Sequence, residues 1–241
     1  MRILRSYGDR LGYAQGFAIY DANDTKGAIS SVMKNLNIDE KALPIKSVIS
    51  EISRAKDSLL TPEDYELEYG IKDFRKKQIA KVYKAYQAHL KNSNALDFDD
   101  IIMKTVMLLK ENASILESYR NKFRYVLIDE FQDTSRSQWE NMRPLLFNSC
   151  AEGSDNLIIG DEKQCIYRFR NANPYIFKNK YDTYRDTDAG IKIDLVKNFR
   201  SRREVLANIN EVFNLVMDDI IGGAEYHESH QMEPLIDEMK H

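Results

Sequence analysis

From residue 1 to about residue 120 the apolar positions recur at helical steps, and almost no stretch alternates as a strand would. Ile71, Phe74, Ile79, Val82, Tyr83, Tyr86 and Leu90 recur at steps of three, four or five residues, with Val82 and Tyr83 adjacent, which predicts one apolar stripe on a long helix. Lys77, Lys81 and Lys84 then lie on its other side, as a solvated face or as a ridge able to meet phosphates. Cap and turn signals at Asp39 to Pro44 and at Thr61-Pro-Glu-Asp64 divide the region into several short helices. Asn94-Ala-Leu-Asp-Phe-Asp-Asp100 reads as a cap leading into a helix over Ile101 to Leu109.

Beyond residue 122 the texture changes. Strands over 123–128, 156–160 and 191–196 alternate with helices over 134–147, 174–181 and 201–217, a succession that predicts a parallel sheet with helices on both faces. Val126, Leu127 and Ile128 suit a strand buried on both sides. Val205, Leu206, Ile209, Val212, Phe213 and Val216 give the last helix an inward face, with Ser201 as a cap near its start. From Gly222 on, the chain is polar and acidic without a period, and is expected to be loosely held unless something covers it. There is no internal repeat. The expected fold class is α/β, a partial parallel sheet with flanking helices, preceded by a helical module.

Composition narrows the picture little. A chain of 241 residues has room for one large domain or two modest ones, with a sizeable core. A formal charge of -3 offers no overall attraction to nucleic acid, so any such contact must come from local basic patches. Cys150 and Cys165 form no Cys-x-x-Cys pair, which favours a reducing compartment, and Cys165 reads as a small packing residue. No apolar stretch approaches the length of about 18 residues that marks a membrane helix, and no leader is evident, so a cytoplasmic chain with no membrane partner is expected. His227-Glu-Ser-His230 spaces its histidines three apart rather than the four of zinc-binding helices, and reads as solvated tail.

The chemistry gathers where the strand over 123–128 stops, at Asp129 and Glu130. Open α/β sheets bind ligands at the carboxyl ends of their strands. One carboxylate there can hold Mg²⁺ while its neighbour orients or deprotonates a water, the division of labour that phosphoanhydride hydrolysis requires. An acidic pair alone also ends strands merely by being soluble. Gln132 follows about one turn later, and the next strand ends in Gly160-Asp161 followed by Gln164, so two neighbouring strand ends are expected to bring polar groups to one crevice. No Gly-x-x-x-x-Gly-Lys-Ser/Thr loop occurs among the 241 residues to cradle phosphates. Tyr167 and Phe169 flank Arg168 and precede Arg170. Aromatic faces stack on bases of any sequence, worth roughly 1–3 kcal/mol per base, and guanidiniums meet phosphates; the duller reading is one core and one rim aromatic. Arg200 is either a surface ion-pair partner or a planar, permanently charged clamp for a phosphoryl group.

Asp129-Glu-Phe-Gln-Asp133, Gly160-Asp-Glu-Lys-Gln-Cys-Ile-Tyr-Arg-Phe-Arg170 and Lys197-Asn-Phe-Arg-Ser201 resemble three successive motifs of the superfamily 1 DNA helicases of the UvrD/PcrA/Rep kind. Leu96-Asp-Phe-Asp-Asp100 and Met1-Arg-Ile-Leu-Arg5 are similar to sequence flanking those motifs, and the likeness runs to about residue 216. The later motifs lean toward the AddA/RecB-like branch, the first half toward UvrD and PcrA. The resemblance implies two RecA-like domains with helical insertions, ATP between them and single-stranded DNA across their top, with 3′-to-5′ movement in repair or recombination. It makes Asp129 the Mg²⁺ ligand, Glu130 the group that activates water, Gln164 the γ-phosphate sensor and Arg200 an arginine finger. Gln132 and Asp161 join the nucleotide side, while Tyr167, Arg168, Phe169 and Arg170 touch the strand. The implied domains are a helical insertion over 1–92, the C-terminal part of a first RecA-like domain over 93–189, and the start of a second with a loose tail over 190–241. Partners implied are the remaining helicase segments or a nuclease subunit. Three positions depart from the pattern: Phe169 stands for tryptophan, Cys165 for serine and Asn171 for glycine. Without a phosphate loop the isolated chain is expected not to hydrolyse ATP. The alternative is a non-catalytic single-strand-binding or interaction module derived from such a helicase.

Overall fold

A computed structural model describes residues 1–71, 73–123, 125–146, 156–186, 191–218, 226 and 231–234. The chain divides into two units, the first made of residues 1–160 and 166–176, the second of 161–165 and 177–241.

In the first unit, helices α1 (Arg2–Tyr7), α2 (Ala22–Asn35), α3 (Ile45–Asp57), α4 (Pro62–Tyr65), α5 (Phe74–Asn92), α6 (Phe98–Glu111), α7 (Ala113–Lys122) and α8 (Arg136–Leu146) accompany two short parallel strand pairs. Several helices start where the caps fall. Asp21 and Asp24 form a reciprocal capping box for α2, Thr61 and Asp64 do so for α4 with Pro62 in its first turn, and Asp97 accepts the Asp100 N–H at 2.8 Å to open α6. Ile79, Val82, Tyr83, Tyr86 and Leu90 are buried along α5, as their spacing predicts, against Ile29 and Met33 of α2 and Val48 and Ile52 of α3. Each such side chain contributes about 1.5–3 kcal/mol relative to exposure. Ile71 and Phe74 do not join that stripe, being 77% exposed each. A wide turn over Glu66–Gly70 and a cap at Asp73 separate Ile71 from α5, and Phe74 is that helix's first residue. Lys77, Lys81 and Lys84 are exposed, and Lys84 pairs with Glu63 at 3.2 Å.

The helical half is not free of strands. Strand β1 (Ala18–Tyr20) pairs in parallel with β2 (Ala95–Asp97), Ile19 beside Leu96, and carries a second core in which Leu4, Phe17, Leu96, Leu108 and Leu109 meet. Three residues are too few to show alternation, so the sequence pattern hides both.

Strand β3 (Val126–Ile128) pairs in parallel with β4 (Asn156–Ile158), in register Leu127 to Leu157. Both strands are shorter than 123–128 and 156–160. The expectation of burial on both faces fails: Leu127 is 65% and Leu157 50% exposed. Alternate residues of a strand share a face, so in this register the two leucines lie side by side on a face that no described element covers.

In the second unit, helix α9 (Pro174–Asp186), which begins in the first unit, leads to strand β5 (Lys197–Asn198), helix α10 (Arg203–Val216) and strand β6 (Glu233–Pro234), which pairs in parallel with β5. The strand expected over 191–196 does not form: Ile191, Ile193 and Leu195 are 88%, 70% and 73% exposed in chain without regular secondary structure. The inward face of α10 also stays largely open. Leu206 is buried, but Val205, Ile209, Val212, Phe213 and Val216 are not, because a pair of two-residue strands is too small to cover a helix of 14 residues. Arg202, not Ser201, occupies its cap position. Part of the tail is held: Tyr226 is buried and donates its hydroxyl to Asn210 Oδ1 at 2.8 Å. Cys150 and His227-Glu-Ser-His230 lie outside the described residues, and Cys165 is a half-buried free thiol. Among the described residues no helix is long and apolar enough to cross a membrane.

Candidate functional site

Because β3 and β4 run parallel and in register, their carboxyl ends stand side by side. Backbone bonds extend the pairing beyond the strands, with the Ile159 N–H donating to Ile128 O at 2.8 Å and the Phe131 N–H to Ile159 O at 3.0 Å. Asp129 and Glu130 sit where β3 stops, and both are exposed. Asp129 Oδ1 accepts the Glu130 N–H at 2.9 Å. Glu130 itself takes a left-handed backbone, φ 44° and ψ 42°, a region that residues with a Cβ enter only where the surroundings enforce it. What enforces it is visible. Phe131 is fully buried with its ring edge-on to Trp139 at 5.3 Å, and the Asp133 and Thr134 N–H groups close a 3-10 turn on Glu130 O and Phe131 O.

Gln132 is 5% exposed, so it is packed inside the turn rather than presented beside the acidic pair. Asp133 Oδ1 is buried with no hydrogen-bond donor among the described groups. The turn ends in a reciprocal cap: the Ser135 N–H donates to Gln138 Oε1 at 2.9 Å and the Gln138 N–H to Ser135 Oγ at 3.3 Å.

The loop carrying Tyr167 and Phe169 is in the same unit. Ser135 bridges to Ala172, and the Asn173 N–H donates to Thr134 O at 3.0 Å, which fastens this loop to the one bearing the acidic pair. Tyr167 and Phe169 incline at 47° with ring centres 5.9 Å apart; Phe169 is 76% exposed, as are much of Ile166 and the Arg168 side chain. The pair is therefore presented at the surface, not divided between core and rim. Asn171 is left-handed, φ 64°, the conformation for which glycine is the natural residue and asparagine a tolerated one. The Arg170 side chain lies outside the described residues.

In the second unit, Asp161 Oδ1 accepts the Lys163 N–H at 3.0 Å and Oδ2 accepts Gln164 Nε2 at 3.0 Å, so Gln164 is oriented by Asp161. Burial pushes the Glu162 carboxyl above its ordinary range, against the opposing pull of Lys178 and Lys163. Arg200 is exposed, and Asn198 Oδ1 accepts both the Arg200 and Ser201 N–H groups at 2.9 and 2.8 Å. An open cleft of about 580 Å³ is lined by Leu195, Lys197, Asn198, Phe199, Arg200 and Met232, so two basic side chains border it.

A buried cluster that the motifs do not announce lies in the first unit. Lys56 Nζ, 0% exposed, sits 2.5 Å from Asp97 Oδ2 and 3.0 Å from Asp100 Oδ2, while Tyr86 donates to Asp97 at 2.9 Å. Burial raises the Asp100 carboxyl above its usual range, with Lys56 pulling it down and Asp97 pushing it up. The signal was a lysine set four residues after Ile52 and eight after Val48, on the apolar side of α3.

The donors at the end of β3 suit a hard cation that arrives with its substrate. Among the described residues no three His, Cys, Asp or Glu side chains gather to hold a metal. Mg²⁺ is commonly bound by one or two carboxylates plus phosphate oxygens and water, and an exposed acidic pair with a free carboxylate oxygen fits that mode.

Residues 1–185 match the UvrD/REP helicase N-terminal domain family. The ATP-dependent DNA helicase PcrA of Staphylococcus epidermidis (strain ATCC 35984) is 39% identical over 213 residues, 88% of this chain and 28% of that protein. PcrA of Staphylococcus aureus (strain Mu50) is 38% identical over 213 residues, with the same shares covered. The chain thus spans about 28% of the length of the curated relatives it matches.

Proposed function

Since the chain belongs to the UvrD/REP helicase N-terminal domain family, we propose that it is the acidic-motif portion of an ATP-dependent DNA helicase that moves along single-stranded DNA, with 3′-to-5′ polarity, in cytoplasmic repair or recombination. Residues 1–92 act as the helical insertion, 93–189 as the C-terminal part of the first RecA-like domain, and 190–241 as the start of the second. The observation that carries this reading is Glu130, held left-handed at a parallel strand end beside Asp129. Strain of this kind persists where the surrounding structure over-determines it, and it concentrates at working sites.

Asp129 holds Mg²⁺, whose chemistry when bound is to neutralise charge on the phosphate oxygens. Glu130 takes the proton of the attacking water as base. Gln164, oriented by Asp161, offers its amide to the γ-phosphate, and Arg200 stabilises the negative charge on the γ-phosphoryl group as it passes to water and ADP leaves. Gln132, buried in the turn, and Asp161 complete the nucleotide side. Tyr167 and Phe169 stack on bases while Arg168 and Arg170 meet phosphates. No phosphate loop lies in the 241 residues, so the chain alone does not turn over ATP; the remaining helicase segments or a nuclease subunit are its natural partners.

A second reading, a strand-binding module that uses no nucleotide, is favoured by the exposure of Phe169 together with that missing loop. Fluorescence anisotropy with a labelled oligonucleotide, with and without Mg²⁺-ATP, separates the two. Binding should weaken about tenfold or more in a Tyr167→Ala/Phe169→Ala double variant, the loss of two stacked bases. Unchanged affinity in that variant refutes both readings, and tight binding indifferent to ATP favours the module.

A further inference from the structure

Helix α3 ends in Lys56-Asp57, and these consecutive side chains take hold of two different parts of the first unit. Lys56 is locked by Asp97 and Asp100, at the junction of β2 and α6. Asp57 reaches the other way. Its Oδ1 accepts the Ser137 hydroxyl at 2.7 Å, and Ser137 Oγ lies 3.1 Å from Ser135 Oγ. Ser137 and Ser135 are 3% and 5% exposed, so water cannot readily replace a partner that is lost. Ser135 is the cap residue that ends the Glu130 turn and also the residue that bridges to Ala172, on the loop that carries Tyr167 and Phe169.

We propose that Asp57 is a positioning residue: by fixing Ser137, and through it Ser135, it holds the turn that presents Asp129 and Glu130. Its importance to chemistry rests on the function proposed above; the mechanical link does not. Lys56 gives the link a rigid base, because an ammonium bound to two buried carboxylates leaves the end of α3 no freedom to follow a moving loop. Farther along α8, Asn141 Nδ2 donates to Ile102 O at 3.0 Å, so the body of that helix stays placed when its first turn is released. The sequence carried part of this arrangement, since Ser135-Arg-Ser-Gln138 is a capping-box pattern, but nothing in the spacing of Asp57 and Ser137 shows that they meet.

Trp139, the single tryptophan of the chain, reports on the turn directly, because its ring stands on Phe131, next to Glu130. The test is acrylamide quenching of Trp139 in the full chain, with circular dichroism to confirm folding and oligonucleotide anisotropy alongside. Asp57→Ala should shift the opening of the turn roughly tenfold, as loss of a hydrogen bond to a carboxylate does, and raise quenching. Asp57→Asn keeps an acceptor oxygen and should quench like the parent. A folded Asp57→Ala chain with unaltered quenching overturns the proposal, and so does an Asp57→Asn chain that quenches like Asp57→Ala. If Asp57→Ala does not fold, Ser137→Ala removes the hydroxyl that joins Asp57 to Ser135 and carries the same expectation; parental quenching there overturns the proposal. Raised quenching in a chain whose parent binds no strand upholds the link and counts against the strand-binding reading instead.

Discussion

At the scale of single residues, Glu130 is the most constrained group in the candidate site. A left-handed backbone costs a residue with a Cβ about 1–2 kcal/mol, and glycine escapes most of that cost. Glu130→Gly should therefore raise the midpoint of thermal unfolding followed by Trp139 fluorescence, while removing the carboxylate that the proposed chemistry needs. A lower midpoint would mean that the glutamate side chain stabilises the turn by contacts of its own. Lys56 shows what residue type alone conceals: a charged side chain placed on an apolar helix face signals a buried partner, but the identity of the partner lies 41 residues away in Asp97.

Among the elements, the meeting of α3, α5, β2 and α6 concentrates buried charge. Asp100 faces Lys56 from α3, Gln87 and Tyr86 from α5, Asp97 from β2, and Asp99 and Lys104 on its own helix. With its folded pKa raised by burial, Asp100 stabilises the fold fully below the unfolded carboxyl value of about 4, and this contribution is lost as pH rises through the folded value. Urea unfolding followed by Trp139 between pH 4 and 8, in steps, should show that decline, with a slope of at most roughly 1.4 kcal/mol per pH unit for one proton. Asp100→Asn should flatten it, and an unchanged slope in that variant assigns the titration elsewhere. These elements also show what the pattern made legible. The buried stripe from Ile79 to Leu90 was readable because it repeats over several turns, and α6 because Asp97 caps it. Ile71 misled because periodicity is blind to the break at Gly70 and Asp73, Phe74 because it opens α5 in its exposed first turn, and β1 and β2 were invisible at three residues each.

Over the whole molecule, the acidic and aromatic motifs were legible as strings, and the parallel pairing of β3 with β4 follows from the apolar runs before them. What could not be read was coverage. Leu127 and Leu157 have the residue types of a doubly buried strand, and Ile191, Ile193 and Leu195 those of another, yet burial depends on what packs over them and not on their own character. The inward face of α10 is open for the same reason. The burial of Gln132 belongs with these, since a polar residue in a motif gives no sign that packing encloses it. The central claim, that Asp129 and Glu130 manage a divalent cation and its water, is tested most directly by placing residues 1–216 of this chain in the Staphylococcus epidermidis PcrA, in place of the part it matches, and measuring strand-stimulated ATP hydrolysis. The chimaera should turn over ATP only with Mg²⁺, and Glu130→Gln should lower the rate by about 10²-fold or more with strand affinity kept, as loss of a general base does; turnover indifferent to Glu130→Gln would contradict the account.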